Sequence, residues 1–233
     1  MSIEQPGLFG QPEAEEMLNQ EENWEDERSV YLPFIAGVKA EEAYLNLQSL
    51  TELEQSGLSC RRCRLREGCK QVVFGQGKGN ARLMLVGEGP GRDEDVQGRP
   101  FVGRAGQLLD KILKAAKLPR QEIYITNVVK CRPPGNRLPH PDEIRECKNF
   151  LEAQIRIINP ELVVCLGSLA SKTIIDPGVS ITMVRGRWFN RQGKKIMGTF
   201  HPAALLRNES YKRPTWQDFK RIRDEYYRPD GDK

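Results

Sequence analysis

Short apolar runs alternate with longer segments of helical periodicity over most of this chain. Runs rich in Val, Ile and Leu predict buried strands, and apolar residues three and four positions apart predict helices. The predicted strands are 83–86, 123–129 and 162–166. The predicted helices are 40–55, 106–117, 141–158, 168–175 and 214–227. This alternation predicts a parallel sheet covered by helices on both faces, in a three-layer α/β/α domain.

Two segments lie outside this pattern. Residues 181–200 predict a hairpin that turns at Arg191-Gln-Gly193, and its second arm, 195–200, is a candidate strand of the sheet. Residues 1–45 mix Glu, Gln, Asn and Pro with few apolar side chains, so they predict a disordered acidic tail. A single α/β/α domain is therefore expected to span 46–228.

Charge separates the tail from the rest of the chain. The first 57 residues carry 13 acidic side chains and two basic ones, so the remainder has a large surplus of positive charge. Such a surplus favours an anionic polymer as partner. No apolar run is long enough for a membrane span, and the acidic N-terminus lacks the apolar region of a signal peptide. We expect a cytoplasmic monomer with no membrane partner.

A glycine-rich loop follows the first predicted strand, at the edge where α/β proteins place their chemistry. Gly87-x-Gly89-x-Gly91 is followed by Arg92, where a dinucleotide fingerprint needs a third glycine, and no Gly-Lys-Ser/Thr comes after it. Phosphate binding is therefore the weaker interpretation. The loop also holds the aromatic Phe101 and a group of carboxylates, namely Glu88, Asp93, Glu94 and Asp95. These residue types favour a small pocket for a flat polar ring.

Six cysteines in a reducing compartment favour a metal site over disulfides. Four of them form two pairs, Cys60 with Cys63 and Cys131 with Cys147. Four thiolates can hold zinc or an iron–sulfur cluster, and the wide spacing of the second pair favours the cluster. Cys69 is a competing ligand. Cys165 lies inside an apolar strand and is expected to be a small core residue.

Three further side chains are expected at the carboxyl edge of the sheet. Asn127 ends the second strand, His201 follows the last, and Phe101 lies beside the first. An Asn carboxamide can donate to a carbonyl while accepting from a ring N–H, which matches the O4 and N3–H edge of uracil and mismatches cytosine. Each residue also has an ordinary interpretation, as a turn residue, a surface histidine and a core aromatic.

Four motifs and the four paired cysteines closely resemble those of the type 4 uracil-DNA glycosylases. The motifs are Gly87-Glu-Gly-Pro-Gly91, Gly98-Arg-Pro-Phe-Val-Gly-Arg-Ala-Gly106, Thr126-Asn-Val-Val-Lys-Cys-Arg-Pro-Pro134 and His201-Pro-Ala-Ala-Leu-Leu-Arg-Asn208. The resemblance covers about residues 58 to 227. It implies a DNA repair enzyme that hydrolyses the N-glycosidic bond of uracil, a four-stranded parallel sheet, and a 4Fe-4S cluster on Cys60, Cys63, Cys131 and Cys147.

The resemblance also implies how the base would be bound. Uracil would lie against Phe101, be read by Asn127, and touch the loop Glu88-Gly89-Pro90, with His201 near O2. A neutral His201 that donates to O2 would stabilise the anion formed when the glycosidic bond breaks. The catalytic candidates are therefore His201, Glu88 and Asn127.

The glycine loop lacks two side chains found in relatives of another family, which carry Asp and Tyr at the positions of Gly89 and Gly91. Neither a water-activating carboxylate nor a ring that excludes thymine is therefore present at these positions. Glu88 is the candidate for excluding the C5 methyl group or positioning water, and Glu94 is the second choice.

A base inside a duplex must be flipped out before it can enter a pocket, and the gap must be filled. Leu205, Leu206 and Arg207, on the loop after His201, suit an apolar wedge with a phosphate anchor. The alternative is that both leucines belong to the core. Further candidates for phosphate contact are the basic residues near the first cysteine pair, Arg61, Arg62, Arg64 and Lys70.

Two other functions remain open from sequence. One is a protein that binds uracil in DNA without turnover, as relatives do that trap uracil through a histidine near the first motif. Neither His140 nor His201 lies there, which favours turnover. The other is an iron–sulfur nucleic-acid-binding module without catalysis.

The tail holds one further motif. Gln5, Leu8 and Phe9 resemble the Gln-x-x-Leu-Phe peptide by which bacterial repair proteins dock on the sliding clamp. The resemblance implies the clamp as a second partner beside uracil-containing DNA.

Overall fold

The computed structural model describes residues 32–39, 44 and 46–229. The tail motif of Gln5, Leu8 and Phe9 lies outside these residues, as does most of the predicted acidic tail. None of the helices described is both long enough and apolar enough to span a membrane.

A sheet with the spatial order β2-β1-β3-β5-β4 forms the centre of the described domain. Its strands are β1 Leu83–Gly87, β2 Tyr124–Asn127, β3 Leu162–Leu166, β4 Trp188–Arg191 and β5 Lys194–Thr199. The strands β2, β1, β3 and β5 are parallel, as predicted. The expected count of four strands is corrected to five, because β4 pairs antiparallel with β5 at the edge.

The two-residue turn of the predicted hairpin explains the extra strand. Gln192 and Gly193 both have positive φ, 48° and 71°, which is the backbone of a turn that returns a strand directly beside its neighbour. The hairpin is shorter than predicted, since residues 181–184 form a helix instead of a strand.

Helices pack on the sheet as the α/β/α prediction requires. They are α1 Leu50–Leu58, α2 Leu65–Gly68, α3 Arg92–Gln97, α4 Arg104–Ala115, α5 Pro141–Ile158, α6 Ser168–Ile174, α7 Ile181–Val184, α8 Pro202–Arg207 and α9 Lys212–Tyr226. Single 3-10 turns occur at Arg120–Glu122, Pro134–Asn136 and Glu209–Tyr211. Helix α5 has the predicted bounds. Helices α3 and α8 were predicted as loop, because six residues are too few to show an apolar period.

Helix α1 begins ten residues later than predicted. Residues 46–49 are not helical, and the Ser49 hydroxyl accepts from the backbone N–H of Thr51 at 3.2 Å, which caps the helix at Leu50. Ahead of this helix, the backbone N–H groups of Phe34 and Ile35 each donate to the buried Glu152 carboxylate at 2.7 Å. These two residues precede position 46, at which the predicted domain begins.

The core is formed by alternate residues of the sheet and the helices that face them. Leu83 and Leu85 of β1 pack with α4 and α9 in one buried cluster, which also contains Leu109, Leu113, Phe219 and Ile222. Helices α1 and α5 pack together through Leu53 and Phe150. Strand β1 lies between β2, the next strand along the chain, and β3. The chain therefore passes from β1 to β2 on one side and then crosses to β3 on the other, and a crevice is expected at the carboxyl end of β1.

Candidate active site

The candidate site lies at the carboxyl ends of β1 and β2, where Gly87 is paired with Asn127. A Cβ atom on Gly87 would lie 2.4 Å from the Asn127 Oδ1 atom and 2.6 Å from the Phe101 ring. Both distances are well inside van der Waals contact, so only glycine lets the two side chains approach the strand end. The predicted pair of Asn127 and Phe101 is thus brought together over Gly87.

Phe101 is held in an unusual backbone conformation. Its ring is buried, and its φ of 53° lies in the left-handed region, which costs a side-chain-bearing residue about 1–2 kcal/mol. The first turn of α4 fixes this conformation, because a Cβ on Gly106 would lie only 2.0 Å from the Phe101 carbonyl. Arg120 also donates to the carbonyl oxygen of Pro100 at 3.0 Å. The ring is therefore held in a fixed position beside the end of β1.

Glu94 belongs to the loop and is committed to backbone contacts. Its carboxylate accepts from the N–H groups of Val102 at 3.0 Å and Gly103 at 2.9 Å. It also accepts from the Gly91 N–H at 3.1 Å. Glu94 therefore holds the loop that carries Phe101 and is not available as the second candidate for positioning water.

The Asn127 carboxamide is buried, and its Oδ1 atom remains able to accept a hydrogen bond. The residue is 1 % exposed, and Oδ1 has no hydrogen-bond partner among the residues that the structure describes. A buried acceptor without a partner costs about 1–3 kcal/mol. A ligand N–H placed against Phe101 would remove this cost.

His201 is a neutral hydrogen-bond donor by virtue of its position at the start of α8. Its Nδ1 atom accepts from the backbone N–H of Ala203 at 3.1 Å, so the proton of the neutral ring is on Nε2. Burial lowers its pKa to about 4, and the Arg207 guanidinium adds to this shift. The ring lies 5.6 Å from Phe101, between centroids.

Glu88 lies on the loop that follows β1. Burial raises the pKa of its carboxyl group, and the Arg207 guanidinium opposes this rise. The Glu88 carbonyl accepts from the Val129 N–H at 3.2 Å, which ties the loop to the segment after β2. Gly89, the next residue, is closely packed like Gly87, because a Cβ atom on Gly89 would lie 2.7 Å from a methyl group of Val129.

The two leucines proposed as a wedge have different environments. Leu205 is 2 % exposed and belongs to the core, whereas Leu206 is 44 % exposed. Arg207 follows on the same short helix and is exposed. Of the two leucines, Leu206 alone is therefore placed to reach a partner.

The four paired cysteines come together around one cavity. Cys60 and Cys63 lie between α1 and α2, Cys131 follows β2, and Cys147 is on α5. The space not filled by protein atoms is about 380 Å³, including its opening to solvent.

Cys165 is buried and does not line this cavity. Cys69 is also buried and does not line it, but its thiol is in hydrogen-bond contact with Cys131, which does. Over the described ranges, no three His, Cys, Asp or Glu side chains converge closely enough to hold a single metal ion.

Lys130 was not singled out from sequence, although it lies between two predicted site residues. Its side chain is fully buried next to Asn127, and its backbone N–H donates to the Cys147 Sγ atom at 3.2 Å. The only signal in the sequence is its position, three residues after Asn127 and directly before Cys131.

Two of the basic residues near the cysteines already have partners. Arg64 donates to Asp142 at 3.0 Å and to Glu143 at 3.1 Å, so part of its guanidinium group is already paired with carboxylates. Arg62 lies over the Tyr44 ring at 5.1 Å. Arg61 and Lys70 are exposed.

The lowered pKa of His201 predicts an unusual titration. As the pH falls, the unfolded chain takes up the proton near the usual pKa of 6.5, whereas the folded chain does so near 4. The folded state therefore loses stability through this window. The Cε1 proton of His201, assigned with a His201→Gln variant, should titrate with a midpoint near pH 4 in NMR spectra. A midpoint near 6.5 would show that the ring is solvated.

Comparison with known proteins places the chain in a family. The family model of the uracil DNA glycosylase superfamily matches residues 74–220 of this chain. A type-4 uracil-DNA glycosylase of Thermotoga maritima is 51% identical over 155 residues, which cover 65% of this chain and 80% of the relative. Another from Archaeoglobus fulgidus is 40% identical over 184 residues, which cover 76% of this chain and 92% of the relative. A type-5 uracil-DNA glycosylase of Pyrobaculum aerophilum is 32% identical over 143 residues, which cover 54% of this chain and 63% of that protein. This chain belongs to the uracil DNA glycosylase superfamily and, within it, to the type-4 enzymes.

Proposed function

We propose that this chain is a DNA repair glycosylase that flips uracil out of DNA and hydrolyses its N-glycosidic bond, leaving an abasic site. One observation carries the proposal. The buried Asn127 carboxamide has an unpartnered acceptor beside the Phe101 ring, and a neutral His201 lies against the same ring. These are the groups needed to stack, read and polarise a pyrimidine.

Asn127 reads the base in this proposal. Its Oδ1 accepts the uracil N3–H and its amide group donates to O4, while the Phe101 ring covers one face of the base. Cytosine presents an acceptor at N3 and an amino group at C4, so both contacts would be reversed. The mismatch would leave buried polar groups unpaired, which gives strong discrimination.

His201 stabilises the departing base. When the N1–C1′ bond breaks, both electrons go to uracil, and water supplies a hydroxyl group to C1′ and a proton to the released base. The His201 Nε2–H donates to uracil O2, where negative charge develops. A neutral imidazole suits this role because it is held ready as a donor without a change of protonation state.

Glu88 completes the pocket together with the backbone of Gly89 and Pro90. Burial raises the pKa of its carboxyl group, which supports a position close to the base. We assign it to the C5 face of uracil or to the position of the attacking water. Rates of a Glu88→Gln variant on uracil and thymine substrates distinguish these roles, since only the first should relax the preference for uracil.

DNA binding is assigned to the exposed end of α8. Leu206 would fill the gap left by the flipped base, and Arg207 would contact a phosphate. Leu205 is excluded from this role because it is in the core.

The cysteine cavity fits an iron–sulfur cluster. Four thiols from two distant parts of the chain line one space. Burial raises the pKa of Cys147 to about 11, so a bound cation is needed to keep this thiol ionised at neutral pH. A 4Fe-4S cluster on Cys60, Cys63, Cys131 and Cys147 would cross-link these segments, and its four metal–thiolate bonds are the chemistry that it supplies. Cys60 and Cys63, which line the cavity, flank Arg61 and Arg62, and both arginines are exposed at the surface beside it.

Uracil excision predicts strand scission. An oligonucleotide with one uracil should be cut after incubation with the protein and alkali. His201→Ala should lower the single-turnover rate about 10²–10³-fold, because one preorganised donor is lost. His140→Ala is the matched control, since His140 is exposed at the start of α5. A stable adduct would instead favour a uracil-trapping protein. The absence of both strand scission and an adduct would favour a binding module.

The wedge assignment predicts an effect confined to duplex DNA. Leu206→Ala should lower excision from a uracil-containing duplex about tenfold or more, because the vacated position is no longer filled. Excision from single strands should change little. Leu205→Ala should instead lower the free energy of unfolding by about 2–5 kcal/mol. Equal losses for Leu206→Ala on both substrates would rule out the wedge.

The cluster assignment predicts bound iron. The purified protein should contain iron and show a broad visible absorbance band, and both should be lost in Cys63→Ala and Cys147→Ala variants. Cys165→Ala should keep them, because Cys165 does not line the cavity. Zinc without visible absorbance would overturn the iron–sulfur assignment.

The proposal includes docking of the tail on the sliding clamp. Leu8 and Phe9 would supply the apolar anchors of this contact. Titration with purified clamp should show binding that a Leu8→Ala plus Phe9→Ala variant loses. Binding that is indifferent to both substitutions would refute it.

A further inference from the structure

Lys130 is a buried lysine that the proposed chemistry does not use. The residue is 2 % exposed. Its ammonium group donates to Thr126 Oγ1 at 2.7 Å, to the Asn127 carbonyl at 2.7 Å and to Gln154 Oε1 at 2.6 Å. All three of its N–H groups therefore have an acceptor, and each of these acceptors is neutral.

The three acceptors join the end of β2 to helix α5. Thr126 and Asn127 are the last two residues of β2, and Gln154 lies on α5. Gln154 in turn donates to the Phe74 carbonyl at 2.9 Å, and the Thr126 hydroxyl donates to the same oxygen at 2.8 Å. The ammonium group is thus the centre of a buried hydrogen-bond network at the carboxyl end of β2.

The backbone of Lys130 is fixed independently of its side chain. Its N–H donates to Cys147 Sγ at 3.2 Å, and its carbonyl accepts from the Val73 N–H at 2.8 Å. The lysine side chain therefore starts from a backbone that is hydrogen-bonded to two other segments, at Cys147 and Val73. An anchored donor of this kind limits the rotation of the peptide that carries the Asn127 side chain.

We propose that Lys130 is a positioning residue for uracil recognition, which fixes the Asn127 carboxamide through the carbonyl of Asn127 and the hydroxyl of Thr126. The inference rests on the proposed function, in which Asn127 reads the base. Lys130 does not touch the base and acts only through Asn127. It should therefore matter for binding of the base and not for binding of DNA that lacks one.

The experiment compares Lys130→Met with Asn127→Ala and with the double variant. Lys130→Met should weaken inhibition by free uracil about 10–100-fold, because the three side-chain hydrogen bonds at the end of β2 are lost. Binding of product DNA with an abasic site should change less than about twofold, and bound metal should be retained. In the Asn127→Ala background, Lys130→Met should add less than about threefold, because the two residues act as one unit.

The matched control is Lys195→Met. Lys195 lies at the opposite end of the sheet and pairs with Glu225 at 2.7 Å, so its loss should leave uracil inhibition unchanged. Unchanged inhibition in Lys130→Met, or a full additional loss in the double variant, would overturn the proposal. Unchanged inhibition in Asn127→Ala would instead refute the reading role of Asn127 itself.

A milder variant keeps the test valid if Lys130→Met does not fold. Thr126→Val conserves shape and removes one acceptor of the ammonium group. It should weaken uracil inhibition in the same direction, by a smaller factor, with product-DNA binding preserved. A folded Thr126→Val variant with wild-type uracil inhibition would overturn the proposal.

Discussion

The absence of a side chain at Gly87 is the constraint on which the site depends. Parallel pairing fixes the distance between the ends of β1 and β2, and Asn127 and Phe101 occupy the space that a Cβ would need. A crevice is expected at this point because the chain connects β1 to β2 on one side, whereas β3 pairs with β1 on the other. Sheet order therefore decides where the site is, and one glycine decides how closely its walls meet.

Burial sets the chemistry of the groups that line the crevice. It keeps the His201 ring neutral, raises the pKa of Glu88 and leaves the Asn127 acceptor without a partner. Each of these states is costly in the free protein. In the proposed function, a base with an N–H and two carbonyl oxygens would pair with the Asn127 acceptor and the His201 donor, so the packing that buries these polar groups would also make them selective.

The segment from Thr126 to Cys131 connects the crevice to the cysteine cavity. It starts as the end of a strand, passes through the fixed backbone of Lys130, and ends at a thiol that lines the cavity. Asn127 of the candidate site and Cys131 of the cavity are thus only four positions apart in the sequence. The Lys130 N–H bond to Cys147 is a direct contact between this segment and a residue that lines the cavity.

The sequence by itself determined features that depend on local pattern. Apolar periodicity and flanking prolines predicted the bounds of α5, and the order of strands and helices put Asn127, Phe101 and His201 at one sheet edge. The antiparallel β4 and the later start of α1 were missed because turn geometry and capping decide them. Only the tertiary structure separated Leu205 from Leu206 and brought the buried Lys130 side chain against the end of β2. Exposure and hydrogen-bond partners depend on distant segments packed together, which no local pattern contains.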